Sequence, residues 1–201
     1  MIAGATSYKE SCGICKAGKY CGGGVNAVII DGKAVTLSPK LCPAGKYGDE
    51  TGKSIEAEAC PARCAPGTFG NVEGGTNATY SCPGICPAGR FGRDSGKTEE
   101  FNACLDCPRG YFCTGGSIEN KKACPGGTYG PYPKQKTLQV ACNKTCSIGR
   151  YGNFPGQYDP NIACPNVCDA GKYGIKKEHT YPSSKMSSCN YCEPGYYCSK
   201  D

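Results

Sequence analysis

The chain has 201 residues and a net charge of +6, and its composition does not fit an ordinary globular core. Val, Ile, Leu and Phe together number only 25, and Trp is absent, which argues against an α/β enzyme fold or a helical bundle. The longest apolar run, Ala27 to Ile30, is far too short to cross a bilayer, so we expect no transmembrane segment.

The 19 cysteines indicate what replaces the missing core. Cysteines at this density, together with 30 Gly and 15 Pro, are typical of loop-rich modules cross-linked by disulfides in an oxidising compartment. We therefore expect an extracellular, secreted protein. Residues 1–7 contain no apolar segment of a secretory signal, and we interpret the chain as a piece of a larger secreted precursor.

A seven-residue motif, Cys-x-x-Gly-x-(Tyr/Phe)-(Gly/Cys), recurs nine times along the chain. The Gly predicts a tight turn with positive φ, and the aromatic side chain predicts packing over a disulfide or a neighbouring repeat. Six motifs end in Gly, which permits close backbone approach, and three end in Cys. The first cysteines of the motifs are Cys15, Cys42, Cys64, Cys86, Cys107, Cys124, Cys146, Cys168 and Cys192.

The motifs are organised in a longer repeat of 82 to 85 residues. We assign residues 1–11 to an incomplete preceding repeat, 12–103 to a first copy, 104–188 to a second copy and 189–201 to a truncated third. Stacking of such short repeats on their neighbours predicts an elongated rod. The fold class that we expect is small, disulfide-rich and mostly irregular, with short β-hairpins.

The spacing supports one set of disulfides, in which each motif's first cysteine bonds to the cysteine that closes its own loop. Cys12 is then left over, and we expect its partner to precede residue 1. A crossed alternative, Cys107 with Cys124 and Cys113 with Cys142, stays open at this point. The expected pairs are Cys15–Cys21, Cys42–Cys60, Cys64–Cys82, Cys86–Cys104, Cys107–Cys113, Cys124–Cys142, Cys146–Cys164, Cys168–Cys189 and Cys192–Cys198.

One loop breaks the pattern, because residues 25–37 form an insertion between Cys21 and Cys42. Two β-branched runs around Asp31-Gly32 predict a β-hairpin. Either the hairpin folds onto its own repeat, or it offers an apolar edge to a neighbouring chain. For the second interpretation, the residues that we expect at the assembly surface are Val28, Ile29, Ile30 and Val35.

Two sequons predict N-linked glycans on a secreted chain. Asn77-Ala78-Thr79 and Asn143-Lys144-Thr145 have the Asn-x-Thr pattern, and both lie in or beside polar connecting loops. A bulky glycan is tolerated in such loops. We therefore name Asn77 and Asn143 as candidate glycosylation sites.

We find no pattern for catalysis, metal binding or nucleic-acid recognition. The C-x2-C pairs, such as Cys104 with Cys107, lack the second pair of a zinc site and the βαβ context of a redox enzyme. His179 is the only histidine and lies in a polar stretch, where a solvated residue is more common than a general base. The lysines form no dense basic stripe. We expect no enzyme, no cofactor and no nucleic-acid partner.

The run from Cys107 to Ser117, followed by Cys124 to Gly130, resembles the ephrin-receptor-like cysteine-rich repeat. The Cys42 to Cys60 unit also resembles the one-disulfide modules of tumour-necrosis-factor receptors and the surface-antigen repeats of ciliates. Long arrays of this kind are similar to extracellular proteins of algae and other protists, including flagellar-hair (mastigoneme) proteins. The resemblance implies a rod-like extracellular role rather than an activity.

Two functional hypotheses follow. The first is a structural protein of a glycosylated filament, flagellar hair or surface coat, whose partners are further copies or neighbouring filament subunits. The second is the stalk or ligand-binding ectodomain of a cell-surface receptor or adhesin. Regular repeats favour the first hypothesis, and the single inserted hairpin favours the second.

Overall fold

The computed structural model describes residues 14–22, 27–30, 33–36, 38–176 and 180–199. The chain divides into two compact units, one of residues 1–85 and 93–103 and the other of residues 86–92 and 104–201. The short segment 86–92 belongs to the second unit because Cys86 is disulfide-bonded to Cys104 there.

The strands are short and pair only in twos, giving nine two-stranded antiparallel sheets within the described residues. In eight of them the first strand carries the aromatic residue of a motif. The second strand ends directly before the first cysteine of the next motif. The pairs are β1 (Lys19–Tyr20) with β4 (Lys40–Leu41), β2 (Ala27–Ile30) with β3 (Lys33–Thr36), β5 (Lys46–Tyr47) with β6 (Ala62–Arg63), β7 (Thr68–Phe69) with β8 (Gly84–Ile85), β9 (Arg90–Phe91) with β10 (Leu105–Asp106), β11 (Tyr111–Cys113) with β12 (Lys121–Ala123), β13 (Thr128–Tyr129) with β14 (Lys144–Thr145), β15 (Arg150–Tyr151) with β16 (Asn166–Val167), and β17 (Lys172–Gly174) with β18 (Cys189–Tyr191).

Six α-helices of four residues each end directly before the cysteine that closes a disulfide loop. Such helices are too short to persist alone, so the disulfide and the packing around it stabilise them. Three begin at side-chain caps, where Asn77 accepts from the Tyr80 N–H, Asp159 from the Asn161 N–H and Ser184 from the Ser187 N–H. The helices are α1 (Glu56–Ala59), α2 (Ala78–Ser81), α3 (Glu100–Ala103), α4 (Leu138–Ala141), α5 (Pro160–Ala163) and α6 (Lys185–Ser188), and a 3₁₀ helix spans Ile118–Asn120.

Nine disulfides join all the cysteines of the described residues. They follow the expected register, pair by pair, and the crossed alternative at Cys107 and Cys113 does not occur. Each pair closes a loop of 6, 18 or 21 residues, so every cross-link is local in sequence. Cys12, whose partner was expected upstream, lies outside the described residues.

Sulfur and small side chains make up the interior. Among the described residues, every buried hydrophobic side chain is Cys or Ala, with the single exception of Phe91. The residue before each loop-closing cysteine after an α-helix is Ala or Ser and is fully or almost fully buried: Ala59, Ser81, Ala103, Ala141, Ala163 and Ser188. The expected small, disulfide-rich and mostly irregular fold is therefore confirmed, while its elongation stays a prediction.

Candidate functional site

The motif aromatic side chain packs against the disulfide of the following repeat. Tyr20 lies on the cluster formed by the Cys42–Cys60 disulfide and Ala59. Tyr129 lies in the same way on the cluster around the Cys146–Cys164 disulfide. The ring thus covers sulfur that would otherwise face water, and it connects one repeat to the next.

Backbone hydrogen bonds also join successive repeats at the same place. The carbonyl oxygen of a motif's first cysteine accepts from the N–H of one residue in the next repeat's loop, at 2.7 to 2.9 Å. We call that residue the stacking residue; in five of six repeats it is a glycine, usually ten positions after the loop's first cysteine. The stacking residues are Gly52, Gly74, Gly96, Gly116, Lys134 and Gly156.

A second hydrogen bond lies beside the first. In five of the six repeats, the N–H of the seventh motif residue donates to the carbonyl oxygen of the residue that follows the stacking residue; in the sixth, Gly92 donates to the stacking residue Gly116 itself. Examples are Gly48 to Gly75 at 3.2 Å, and Cys113 to Gln135 at 3.0 Å. Since both bonds use only backbone atoms, the loop side chains can vary without breaking the contact between repeats.

The stacking position requires a left-handed backbone. The five glycines there have φ between 70° and 75°. Lys134 occupies the same position with φ of 62°, and it is the only non-glycine residue with positive φ in the described part of the chain. A side chain in this region brings Cβ close to the following carbonyl, so Lys134 is a strained exception to a glycine rule.

The motif glycines fulfil the predicted role, because all nine have positive φ, between 73° and 90°. Several also lie where no side chain fits. A Cβ on Gly45 would lie 2.6 Å from the carbonyl oxygen of Gly96, and a Cβ on Gly89 would lie 2.6 Å from that of Lys134. The backbones of repeats two apart are thus in direct contact at these points.

Ion pairs flank two stacking residues. Lys53 Nζ lies 2.6 Å from Glu50 across Gly52, and Lys97 Nζ lies 3.5 Å from Asp94 across Gly96. The hydrogen bond from Lys53 lowers the pKa of Glu50, and the hydrogen bond to Glu50 raises the pKa of Lys53. Since Glu50 is exposed and Lys53 is only half-buried, the pair contributes little to the stability of the fold.

The strained stacking residue, Lys134, forms its ion pair with a residue outside its own loop. Lys134 Nζ lies 3.1 Å from one carboxylate oxygen of Asp106, and Arg90 Nε lies 3.4 Å from the other. Asp106 lies between Cys104 and Cys107. Its carboxylate contacts Arg90 of the preceding repeat and Lys134 of a later repeat. This contact explains part of the tolerance for a lysine at a position that favours glycine.

The inserted hairpin is present as predicted. β2 and β3 pair antiparallel, with Val28 opposite Val35 and Ile29 opposite Ala34. Among the described residues the two strands form a sheet of their own, without a third strand. The register leaves Asp31-Gly32 between Ile30 and Lys33, which matches the two-residue connection expected from the sequence.

Both sequon asparagines are exposed. Asn77 caps helix α2 through its Oδ1, which accepts from the Tyr80 N–H at 2.9 Å, whereas a glycan would be attached to Nδ2. Asn143 follows the buried Cys142 and precedes β14. Occupancy by glycan stays a prediction.

The described residues show no concentration of side chains that could form a metal site, since they contain no cluster of three or more His, Cys, Asp or Glu side chains placed to hold an ion. His179 lies outside the described residues. In the second unit a cavity of about 260 Å³ is lined in part by Ile148, Ile175 and Pro182. None of the helices described is both long and apolar enough to span a membrane.

Comparison with known proteins yields no relative: no family model matches the chain, and no curated protein matches it. The functional interpretation therefore depends on the geometry of the chain itself.

Two features of the repeat were not inferred from the sequence. One is the stacking glycine ten residues after the first cysteine, as at Gly52, Gly74 and Gly96. The other is the small residue before the closing cysteine, as at Ala59 and Ser81. Both were visible as fixed spacings from a cysteine, and alignment of the loops on their cysteines would have shown them.

Proposed function

We propose that this protein is an extracellular structural protein, a component of a glycosylated filament, flagellar hair or surface coat. The nine disulfides are consistent with an extracellular, secreted protein, since such bonds persist in oxidising compartments. The finer assignment depends on how the repeats are joined.

The observation that carries the proposal is the contact between repeats through backbone atoms alone. Cys42 accepts from Gly74, Cys64 from Gly96 and Cys124 from Gly156, each at 2.8 Å. An array built in this way grows by adding repeats, and no new hydrophobic core is needed. A protein that gives mechanical support can consist of uniform repeats, whereas a catalytic site needs a repeat that differs from the others.

The inserted hairpin is the proposed point of contact between copies. A two-stranded hairpin is at best marginally stable in water without a third strand or a packed face. The outer edges of β2 and β3 pair with no further strand in the described part of the chain. A second copy that adds its own hairpin at this edge would supply the missing strand pairing.

The experiment compares self-association of the purified chain with that of a V28K/I30K variant, by sedimentation velocity and negative-stain electron microscopy. The matched control is V140K/I162K, which adds the same charge at exposed apolar side chains of α4 and α5. We expect fibres or large oligomers from the parent and the control, and monomers from V28K/I30K. Assembly of all three would refute the role of the hairpin.

A second candidate function is the stalk or ligand-binding ectodomain of a receptor or adhesin. It is favoured by the restriction of the hairpin insertion to one repeat, because recognition generally uses the repeat that differs. Electron microscopy of native material separates the two functions. Regular fibres support the structural role, and isolated tethered rods support the receptor role.

A further inference from the structure

Ten of the 14 tyrosines fall into two structural groups. Five are half-buried, and all of these belong to the cysteine motifs: Tyr20, Tyr47, Tyr111, Tyr129 and Tyr151. Five others lie outside the motifs and expose 44 to 72% of their surface. We call the second group the surface tyrosines: Tyr80, Tyr132, Tyr158, Tyr181 and Tyr191.

The fold does not require a tyrosine at the surface positions. Tyr132 lies eight residues after Cys124, and the same position holds Glu50, Asp94 or Phe154 in other repeats. The third residue of the short helix is Tyr80 in α2, but Glu, Asn, Val or Ile in α1, α3, α4 and α5. Packing therefore does not account for the phenols of Tyr80 and Tyr132.

Tyr132 lies in a loop whose backbone is anchored. Pro131 and Pro133 flank it and fix φ on both sides. The next residue, Lys134, is bonded to Cys107 through its backbone N–H and to Asp106 through its side chain. The phenol is 63% exposed at this anchored loop, so its side chain is accessible to a second molecule.

In the part of the chain that the structure describes, no cysteine is free to link copies. Every cysteine of the described residues is already in an intrachain disulfide, and most of these cysteines are buried. A covalent link between copies through the described residues would therefore use another oxidisable side chain. Tyrosine side chains are oxidisable, and exposed tyrosines recur over the surface of the described residues.

We propose that the surface tyrosines are sites of oxidative cross-linking between copies of this chain, with a haem peroxidase and hydrogen peroxide as oxidant. The inference rests on the proposed structural function and names a covalent modification of that assembly. Each of two phenols gives one electron and one proton to the oxidised peroxidase. The peroxide O–O bond breaks, and with two electrons and two protons it yields two waters.

The two phenoxyl radicals then combine. A carbon–carbon bond forms between ring positions adjacent to the phenol oxygens. Each of these carbons loses its hydrogen as a proton, and each phenolate oxygen regains one, which restores both aromatic rings. The product is dityrosine, which fluoresces and which reductants do not cleave.

The test treats the folded, non-reduced chain with a haem peroxidase and hydrogen peroxide. All variants carry Tyr8, Tyr173, Tyr196 and Tyr197 as Phe, so that tyrosines outside the two groups do not contribute. One variant changes the five surface tyrosines to Phe, and the matched variant changes the five half-buried tyrosines to Phe. Both remove the same number of hydroxyl groups and keep the rings.

We expect reductant-resistant dimers and dityrosine fluorescence from the background chain and from the half-buried variant, and the loss of both from the surface variant. Equal losses in the two variants, or no dimers from the background chain, would overturn the inference. Acid hydrolysates of native material should also contain dityrosine. Fibres that lack it would contradict the cross-linking and leave the proposed structural function intact.

Discussion

Replacing the stacking residue Lys134 by glycine should relieve backbone strain. Lys134 has φ of 62°, where a residue with Cβ pays roughly 1–2 kcal/mol. Glycine removes that strain but loses more backbone entropy on folding, by about 0.5–1 kcal/mol. The exposed ion pair with Asp106 is also lost, and such pairs contribute about 0–1 kcal/mol.

Alanine at the same position separates these contributions. K134A loses the ion pair and keeps the strain, whereas K134G loses the pair and relieves the strain. We therefore expect K134G to exceed K134A in free energy of unfolding by about 0.5–1 kcal/mol. Guanidinium titrations of the oxidised chain, followed by circular dichroism, measure that difference. A K134G variant no more stable than K134A would refute the strain argument.

Further substitutions test the contacts between repeats. Gly45→Ala should destabilise more than Gly149→Ala, since φ is similar but a Cβ meets the Gly96 carbonyl oxygen at 2.6 Å in the first case and nothing nearer than 3.9 Å in the second. Gly96→Ala has room beside Arg63 at 3.5 Å, so we expect only the conformational cost of about 1–2 kcal/mol. Ala163→Leu should cost about 1–3 kcal/mol by overpacking a fully buried site. Equal effects for the two glycines, or a neutral Ala163→Leu, in the same titrations would contradict the packing described.

The disulfide register could be predicted because it is local. The distance in sequence from Cys42 to Cys60 recurs at Cys64, Cys86, Cys124 and Cys146, whereas the pairing of Cys107 and Cys113 stayed open. The inserted hairpin was predictable for a similar reason, since an Asp-Gly step between β-branched runs is a signal of short range.

The contact between repeats was harder to predict because it has no side-chain signature. Backbone atoms of Gly74 and Cys42 make the bond, and loops with very different side chains make the same one. At one repeat a lysine, Lys134, replaces the glycine and conceals the pattern. The exposed aromatic residues gave no periodic signal either, because the fold leaves those positions free to vary.

The central claim is that disulfides and backbone contacts replace a hydrophobic core in this protein. In the chain-entropy model, a loop such as Cys42 to Cys60 contributes about 3 kcal/mol, and the chain contains nine disulfides. The direct test is circular dichroism during heating, with and without dithiothreitol. We predict that the oxidised chain keeps its spectrum on heating and that the fully reduced chain is unfolded at room temperature. A cooperative, unchanged fold after full reduction would contradict the claim.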